Sequence, residues 1–117
     1  MPDFSQTPPL EEILNISYLL QEGMRRFKFA AENMDSPLPI PGADLYFARA
    51  LELFHQRGIQ SPEAEFFIEL KLASYLAFTE RCREAIPHFE RAAELKPENT
   101  KVRNYLAVTY KMTSSAG

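Results

Sequence analysis

The chain has 117 residues, 45% of them apolar, which is enough for one domain with its own hydrophobic core. Its net charge of −3 provides no basic field for nucleic acid, and its single cysteine, Cys82, excludes an internal disulfide and favours a cytoplasmic location. No apolar run approaches the roughly 18 residues of a membrane span, and the N-terminus lacks the pattern of a signal peptide.

Apolar residues recur at helical spacing, which predicts an all-α fold with five helices. The first helix is predicted from about Pro8 to Asn33, with Thr7 as its cap. Gly23, a residue of low helix propensity, weakens the middle of this helix. One interpretation is that the helix is divided in two at this residue. Three prolines between residues 36 and 42 then predict an extended connector.

The rest of the chain shows clear helix boundaries. Gly58 ends one helix, and Ser61 followed by Pro62 begins the next. The four further helices are predicted at about Ala43–Arg57, Pro62–Phe78, Arg83–Leu95 and Asn99–Met112. A single helical domain is therefore expected over residues 8–112, with disordered segments at residues 1–7 and 113–117.

A repeated segment points to the architecture. Phe47–Leu53 and Phe89–Leu95 are identical at five of seven positions, at an offset of 42 residues. The 34 residues from Phe66 to Asn99, which contain the second copy, resemble a tetratricopeptide repeat. With Phe66 as position 1 of that motif, only Glu69, at position 4, departs from the expected residue types. The matching residues are Leu72, Ala73, Leu76, Ala85, Phe89, Ala92 and Pro97. The small residues of this set, Ala73, Ala85 and Ala92, let antiparallel helices approach closely, and the large residues fill the space beside them.

The resemblance extends over about two and a half repeats, from Met24 to Met112. The repeat that starts at Met24 is divergent and is followed by about eight extra residues. The one that starts at Thr100 has only its first helix. The family resemblance implies a short right-handed solenoid of stacked antiparallel helix pairs.

Such repeats bind peptides or helices of partner proteins on a concave face. The resemblance places ten residues of this chain on that face: Arg25, Lys28, Phe67, Leu70, Ser74, Ala77, Lys101, Asn104, Val108 and Lys111. An amphipathic ligand with acidic flanks would complement an apolar centre with basic edges. The alternative, which the sequence leaves open, is that Phe67, Leu70 and Ala77 are core residues.

Some relatives grip a ligand's C-terminal carboxylate with a two-carboxylate clamp. Lys28 and Lys101 match that pattern, whereas Glu32, Lys71 and Tyr105 do not. A carboxylate at the position of Glu32 would repel the ligand, so we do not expect a clamp.

The apolar N-terminal stretch from Pro8 to Gln21 has three possible roles. It caps the end of the solenoid, docks in the groove of its own chain, or forms a dimer or partner interface. The leading functional hypothesis is an adaptor or small chaperone that binds another protein. The alternative is a structural subunit that assembles through this helix or through its end faces.

No pattern of residues indicates an enzyme or a cofactor. His55 and His88 have no partners at metal-ligand spacing. Cys82 lies between Arg81 and Arg83, which favours a thiolate, but the sequence indicates no positioned base. The chain is therefore expected to be non-enzymatic and to bind no metal.

Overall fold

The structure, a computed structural model, describes residues 8–35 and 42–116. These residues form five α-helices and a short 3₁₀ turn without a strand, which confirms the all-α prediction. The helices are α1 (Ile16–Glu32), α2 (Ala43–Gln56), α3 (Pro62–Phe78), α4 (Cys82–Leu95) and α5 (Thr100–Ala116). Among the described helices, none combines the length and the apolar content needed to cross a bilayer.

The start of the first helix differs from the prediction. The 3₁₀ turn occupies Leu10–Glu12, and α1 begins only at Ile16. The physical reason is an unrecognised cap, because the side chain of Asn15 accepts a hydrogen bond from the backbone N–H of Tyr18 at 3.1 Å. Thr7 and residues 36–41, the core of the predicted connector, lie outside the described residues.

Most of the other boundaries follow the local signals in the sequence. Ser61 caps α3 by accepting from the N–H of Ala64 at 3.2 Å, with Pro62 at the first helical position. Gly58 has a left-handed φ of 63° just after α2, as expected of a C-terminal glycine. Asn99 caps α5, which continues to Ala116 and so ends beyond the predicted limit at Met112.

The chain divides into two compact units, Met1–Arg57 and Gly58–Gly117. The single domain expected over residues 8–112 stays a prediction. In the N-terminal unit, α1 and α2 are antiparallel, since the guanidinium of Arg57 donates to the carbonyl of Leu14 and Gly23 lies against Phe47. Their core contains Ile13, Leu19, Tyr46, Ala50 and Leu53.

In the C-terminal unit, α4 packs against both α3 and α5. Lys96 pairs with Glu63 and His88 with Glu69, each at 2.6 Å, so α3 and α4 are antiparallel. On the other side of α4, the Phe89 and Tyr105 ring centroids are 6.0 Å apart, and Ala92 and Val102 share a core cluster with Phe66. These contacts make α5 antiparallel to α4, and therefore parallel to α3.

Gly23 does not divide α1, which is continuous from Ile16 to Glu32. The residue instead permits a close approach between helices. A Cβ atom built at Gly23 would lie 2.8 Å from Cε1 of Phe47, a ring that is fully buried. The glycine thus gives up helix propensity so that α2 can pack closely against α1.

This contact predicts that Gly23→Ala destabilises the protein, although alanine is the better helix former. The propensity gain is about 1 kcal/mol, and overpacking costs about 1–3 kcal/mol. We expect a net loss of about 1 kcal/mol in the free energy of unfolding, measured by urea denaturation. Gln21→Ala, at an exposed site in the same helix, is the control. A stabilised Gly23→Ala variant would contradict the packing argument.

Candidate protein-binding surface

The residues that carry the repeat resemblance occupy the packed side of the α3–α4 pair. Six of the seven matching positions are buried: Leu72, Ala73, Leu76, Ala85, Phe89 and Ala92. In the N-terminal unit the agreement is only partial. The divergent repeat that starts at Met24 puts six residues at the packing positions of the pattern: Ala30, Ala31, Met34, Ala43, Phe47 and Ala50. Ala30, Ala43, Phe47 and Ala50 are fully buried, but Ala31 is exposed and Met34 is 67% exposed. Gly23, rather than the predicted Ala31, faces the aromatic ring of α2.

Two buried carboxylates fix the orientation of α3. Glu69 lies 2.6 Å from Nδ1 of His88, and Glu65 accepts from Nε of Arg91 at 2.8 Å. Each carboxylate has a partner on α4, as burial of a charge requires. Since Glu65 and Glu69 face α4, the side of α3 that carries Phe67 turns away from that helix.

Four of the predicted binding residues form one stripe along α3, at spacings of three and four residues. Phe67 is 37% exposed, and the ammonium of Lys71 lies 5.5 Å from the centre of its ring. Leu70 is half-buried and packs against the cluster of Phe66, Ala92 and Val102, so it contributes to the core. Ser74 and Ala77 are half-buried. The stripe therefore contains both a core residue and an exposed aromatic ring.

The α5 helix is packed on one side only. Val102 and Thr109 are buried, whereas all four of its predicted binding residues are exposed: Lys101, Asn104, Val108 and Lys111. Tyr105 and Met112 are also exposed, at 48% and 47%, and lie on the same face as Val108, which is 56% exposed. We call Lys101, Tyr105, Val108 and Met112 the α5 stripe.

Sequence reasoning missed Tyr105 and Met112 as surface residues, since it assigned binding positions by the repeat pattern alone. The signal that could have found them is the continuous spacing of four, three and four residues from Lys101 to Met112.

The two remaining predicted residues, Arg25 and Lys28, lie on α1 in the N-terminal unit. Both are exposed, and both pair with a carboxylate of their own helix. Lys28 lies 3.9 Å from Glu32, and the guanidinium of Arg25 forms a close ion pair with Glu22. Ligand binding by these cations would have to compete with those intrahelical pairs.

Glu22 is the centre of a buried charge network. Arg26 donates to Glu22 at 3.1 Å, and its guanidinium lies 4.4 Å from the ring centre of Tyr46. Burial by itself raises the pKa of Glu22, but the hydrogen bonds and charges of Arg25 and Arg26 outweigh burial. The net pKa lies below its usual range, so the ionised form stabilises the fold.

Cys82 is half-buried at the start of α4, in an open depression of about 440 Å³. Of the two flanking arginines, Arg81 is engaged with Glu84, whose carboxylate accepts from its Nε at 2.5 Å. That hydrogen bond holds the pKa of the Glu84 carboxyl below its usual range. Arg81, one of the two cations next to the Cys82 thiol in sequence, is therefore engaged in a surface ion pair.

The chain matches no protein-family model, no curated protein and no solved structure. The resemblance to tetratricopeptide repeats thus depends on the residues named above and remains a prediction. The candidate surface consists of the exposed side chains of α3 and α5 in the C-terminal unit.

The depressed pKa of Glu22 predicts a pH-dependent contribution to stability. The contribution is fully present above the pKa of an unfolded glutamate, about 4.3, and is lost as the pH falls through the folded-state pKa. We expect Glu22→Gln to lower the free energy of unfolding by about 1–3 kcal/mol at pH 7.

Urea denaturation at a series of pH values measures this contribution. The difference between the wild type and Glu22→Gln should shrink as the pH falls below about 4. Glu32→Gln, at an exposed site in α1, is the control and should cost less than about 1 kcal/mol. A Glu22→Gln difference that does not change with pH would mean that packing, rather than charge, explains the effect.

Two of the predicted binding residues differ in their surroundings, because Leu70 packs against the core and Val108 is exposed. We expect Leu70→Asp to lower the free energy of unfolding by about 2–3 kcal/mol, because it puts a carboxylate into a packed contact. Val108→Asp should change it by less than about 0.5 kcal/mol. Thermal and urea denaturation followed by circular dichroism measure both, and equal losses would show that Val108 also belongs to the core.

Proposed function

We propose that this chain is a non-enzymatic protein-interaction module, an adaptor or small chaperone of the tetratricopeptide-repeat type, which acts in the cytoplasm. It holds a peptide or helix of a partner protein on the exposed side of α3 and α5. The observation that carries the proposal is the α5 stripe. Three of its large apolar side chains are each about half exposed on one helix face. Contiguous exposed apolar surface is typical of binding sites.

The packing of the unit supports this proposal. The small and aromatic residues of the repeat pattern hold the three helices together. Leu70 and Tyr105 take part in this packing, whereas Phe67, Val108 and Met112 stay well exposed on α3 and α5. Val108 and Phe67 thus remain available as apolar contacts, and Lys101 and Lys111 as polar contacts. Exposed side chains of this kind, held on rigid helices, suit recognition of another helix.

A second surface favours the alternative function, an assembly subunit. In the N-terminal unit, an open depression of about 480 Å³ is lined in part by Leu10, Leu45 and Ala48. Leu45 is 56% exposed, and Leu14, in the same unit, is 58% exposed. A structural subunit would associate through this apolar surface, either with a second copy or with another protein.

One pair of matched variants separates the two functions. Val108 and Leu45 are equally exposed, at 56%, and lie on different units. We expect Val108→Asp to abolish co-purification of a partner in quantitative affinity capture, because a carboxylate disrupts the apolar contact. Leu45→Asp should leave that capture intact.

The reverse result would support assembly through the N-terminal unit, above all if Leu45→Asp also changed the molar mass in light scattering. Capture of the same proteins by both variants would contradict both proposals. Circular dichroism checks that each variant keeps its helical content.

A further inference from the structure

The charges of the C-terminal unit are divided unevenly along the chain. Every carboxylate side chain between residues 58 and 117 precedes α5, which itself carries Lys101, Arg103 and Lys111 and no acidic residue. Three cations that precede α5 in this unit pair with its carboxylates: Arg81 with Glu84, Arg91 with Glu65 and Lys96 with Glu63. Within the described residues, the side chains of the three α5 cations form no ion pair or hydrogen bond.

Two of these cations bracket the apolar part of the α5 stripe. Lys101 opens the stripe one turn before Tyr105, and Lys111 lies about one turn after Val108, at the edge of the stripe. The two lysines are ten positions apart, which corresponds to about 15 Å along the helix axis. Arg103 points away from this surface, since it lies about half a turn around the helix from Lys101 and Tyr105.

The position of Lys101 is unfavourable for the isolated helix. It lies in the first turn of α5, where the helix dipole disfavours positive charge. No acidic residue occupies that turn to compensate. A carboxylate supplied by a partner would remove this penalty, and it would form a new ion pair at the edge of an apolar contact.

These charges select among the possible occupants of the stripe. A second copy that packed its own α5 on this surface would bring two helices of charge +3 together, which like-charge repulsion opposes. A helix is the best geometric match, because side chains three and four residues apart on one helix form ridges that fit the grooves of another helix. We propose that the α5 stripe binds an amphipathic helix whose apolar face is flanked at both ends by carboxylates.

This inference rests on the proposed interaction function and adds the chemistry of its partner. It is tested with three synthetic helix-forming peptides of about 18 residues. All three carry leucines at the spacing of the stripe, and the two flanking sites hold glutamate, glutamine or lysine. We expect the full-length chain to bind the glutamate peptide at least about tenfold more tightly than the glutamine peptide, and the lysine peptide least tightly.

Fluorescence anisotropy measures the affinities, and NMR chemical shifts locate the site. The largest shift changes should fall on Tyr105, Val108 and Met112. Binding of the glutamate peptide should weaken as salt is raised, while that of the glutamine peptide should change little.

A matched pair of charge reversals makes the test specific to the surface. Lys101→Glu should reverse the preference, so that the lysine peptide binds more tightly than the glutamate peptide. Arg103→Glu changes the net charge equally, two residues along the same helix, and should keep the original order. Equal effects of the two variants would mean that net charge, rather than the stripe, governs binding, and would overturn the inference.

The remaining outcomes separate this inference from the proposed function. If all three peptides bind with equal affinity at the stripe, the interaction surface stands and the acidic partner is wrong. If none binds, both the inference and the proposed role of the stripe fail. Concentration-dependent dimerisation that Val108→Asp abolishes would make a second copy the occupant and would also overturn the inference.

Discussion

Close approach of antiparallel helices at small buried residues is the constraint on which the rest of the structure depends. Gly23 brings α1 against the ring of Phe47, and the fully buried Ala85 and Ala92 hold α4 close to its neighbours. Interior packing at this density leaves no room for an added methyl group without movement of a neighbour. Once one face of a helix is packed this closely, the helical periodicity determines which of its other side chains point towards solvent.

Buried ion pairs are a second constraint, and they act on the rotation of each helix about its own axis. Glu65 and Glu69 are placed against Arg91 and His88 in the α3–α4 pair, and Glu22 is placed against Arg26 in the α1–α2 pair. A buried carboxylate without its partner would be costly, so alternative rotations of these helices are disfavoured. Polar groups at these sites therefore contribute specificity that apolar packing alone would not supply.

The candidate binding surface is a consequence of this packing. Val102 and Thr109 are buried on one side of α5, and Val108 and Met112 lie about half exposed beside them. Tyr105 lies at the edge of the packed side, with its ring centre 6.0 Å from that of Phe89 and about half of the residue exposed. The absence of acidic residues from α5 then gives the exposed stripe a charge of one sign. The proposed partner is defined by apolar spacing and by negative charge, and both are properties that a peptide can be designed to test.

The sequence by itself determined the all-α class, five helices and most of their ends, because capping and turn residues act locally. Ser61 caps α3 and Gly58 takes a left-handed φ after α2, as the local signals predicted. Asn99, which the sequence placed near the start of the last helix, caps α5. The Asn15 cap was missed, since the stretch before it is equally apolar and a proline pair suggested an earlier start. The resemblance to tetratricopeptide repeats implied one surface with Lys101, Asn104, Val108 and Lys111, and the structure shows all four of these residues exposed.

Only the tertiary structure decided which of the predicted binding residues are also packing residues. Leu70 and Val108 look alike in the repeat pattern, but Leu70 packs between helices and Val108 faces outwards. The tertiary structure also assigned Gly23 to a helix contact rather than to a break, and it gave Glu69 its partner, His88. These outcomes depend on residues distant in sequence that meet across a helix interface, and helical periodicity within one segment carries no information about the facing side chain.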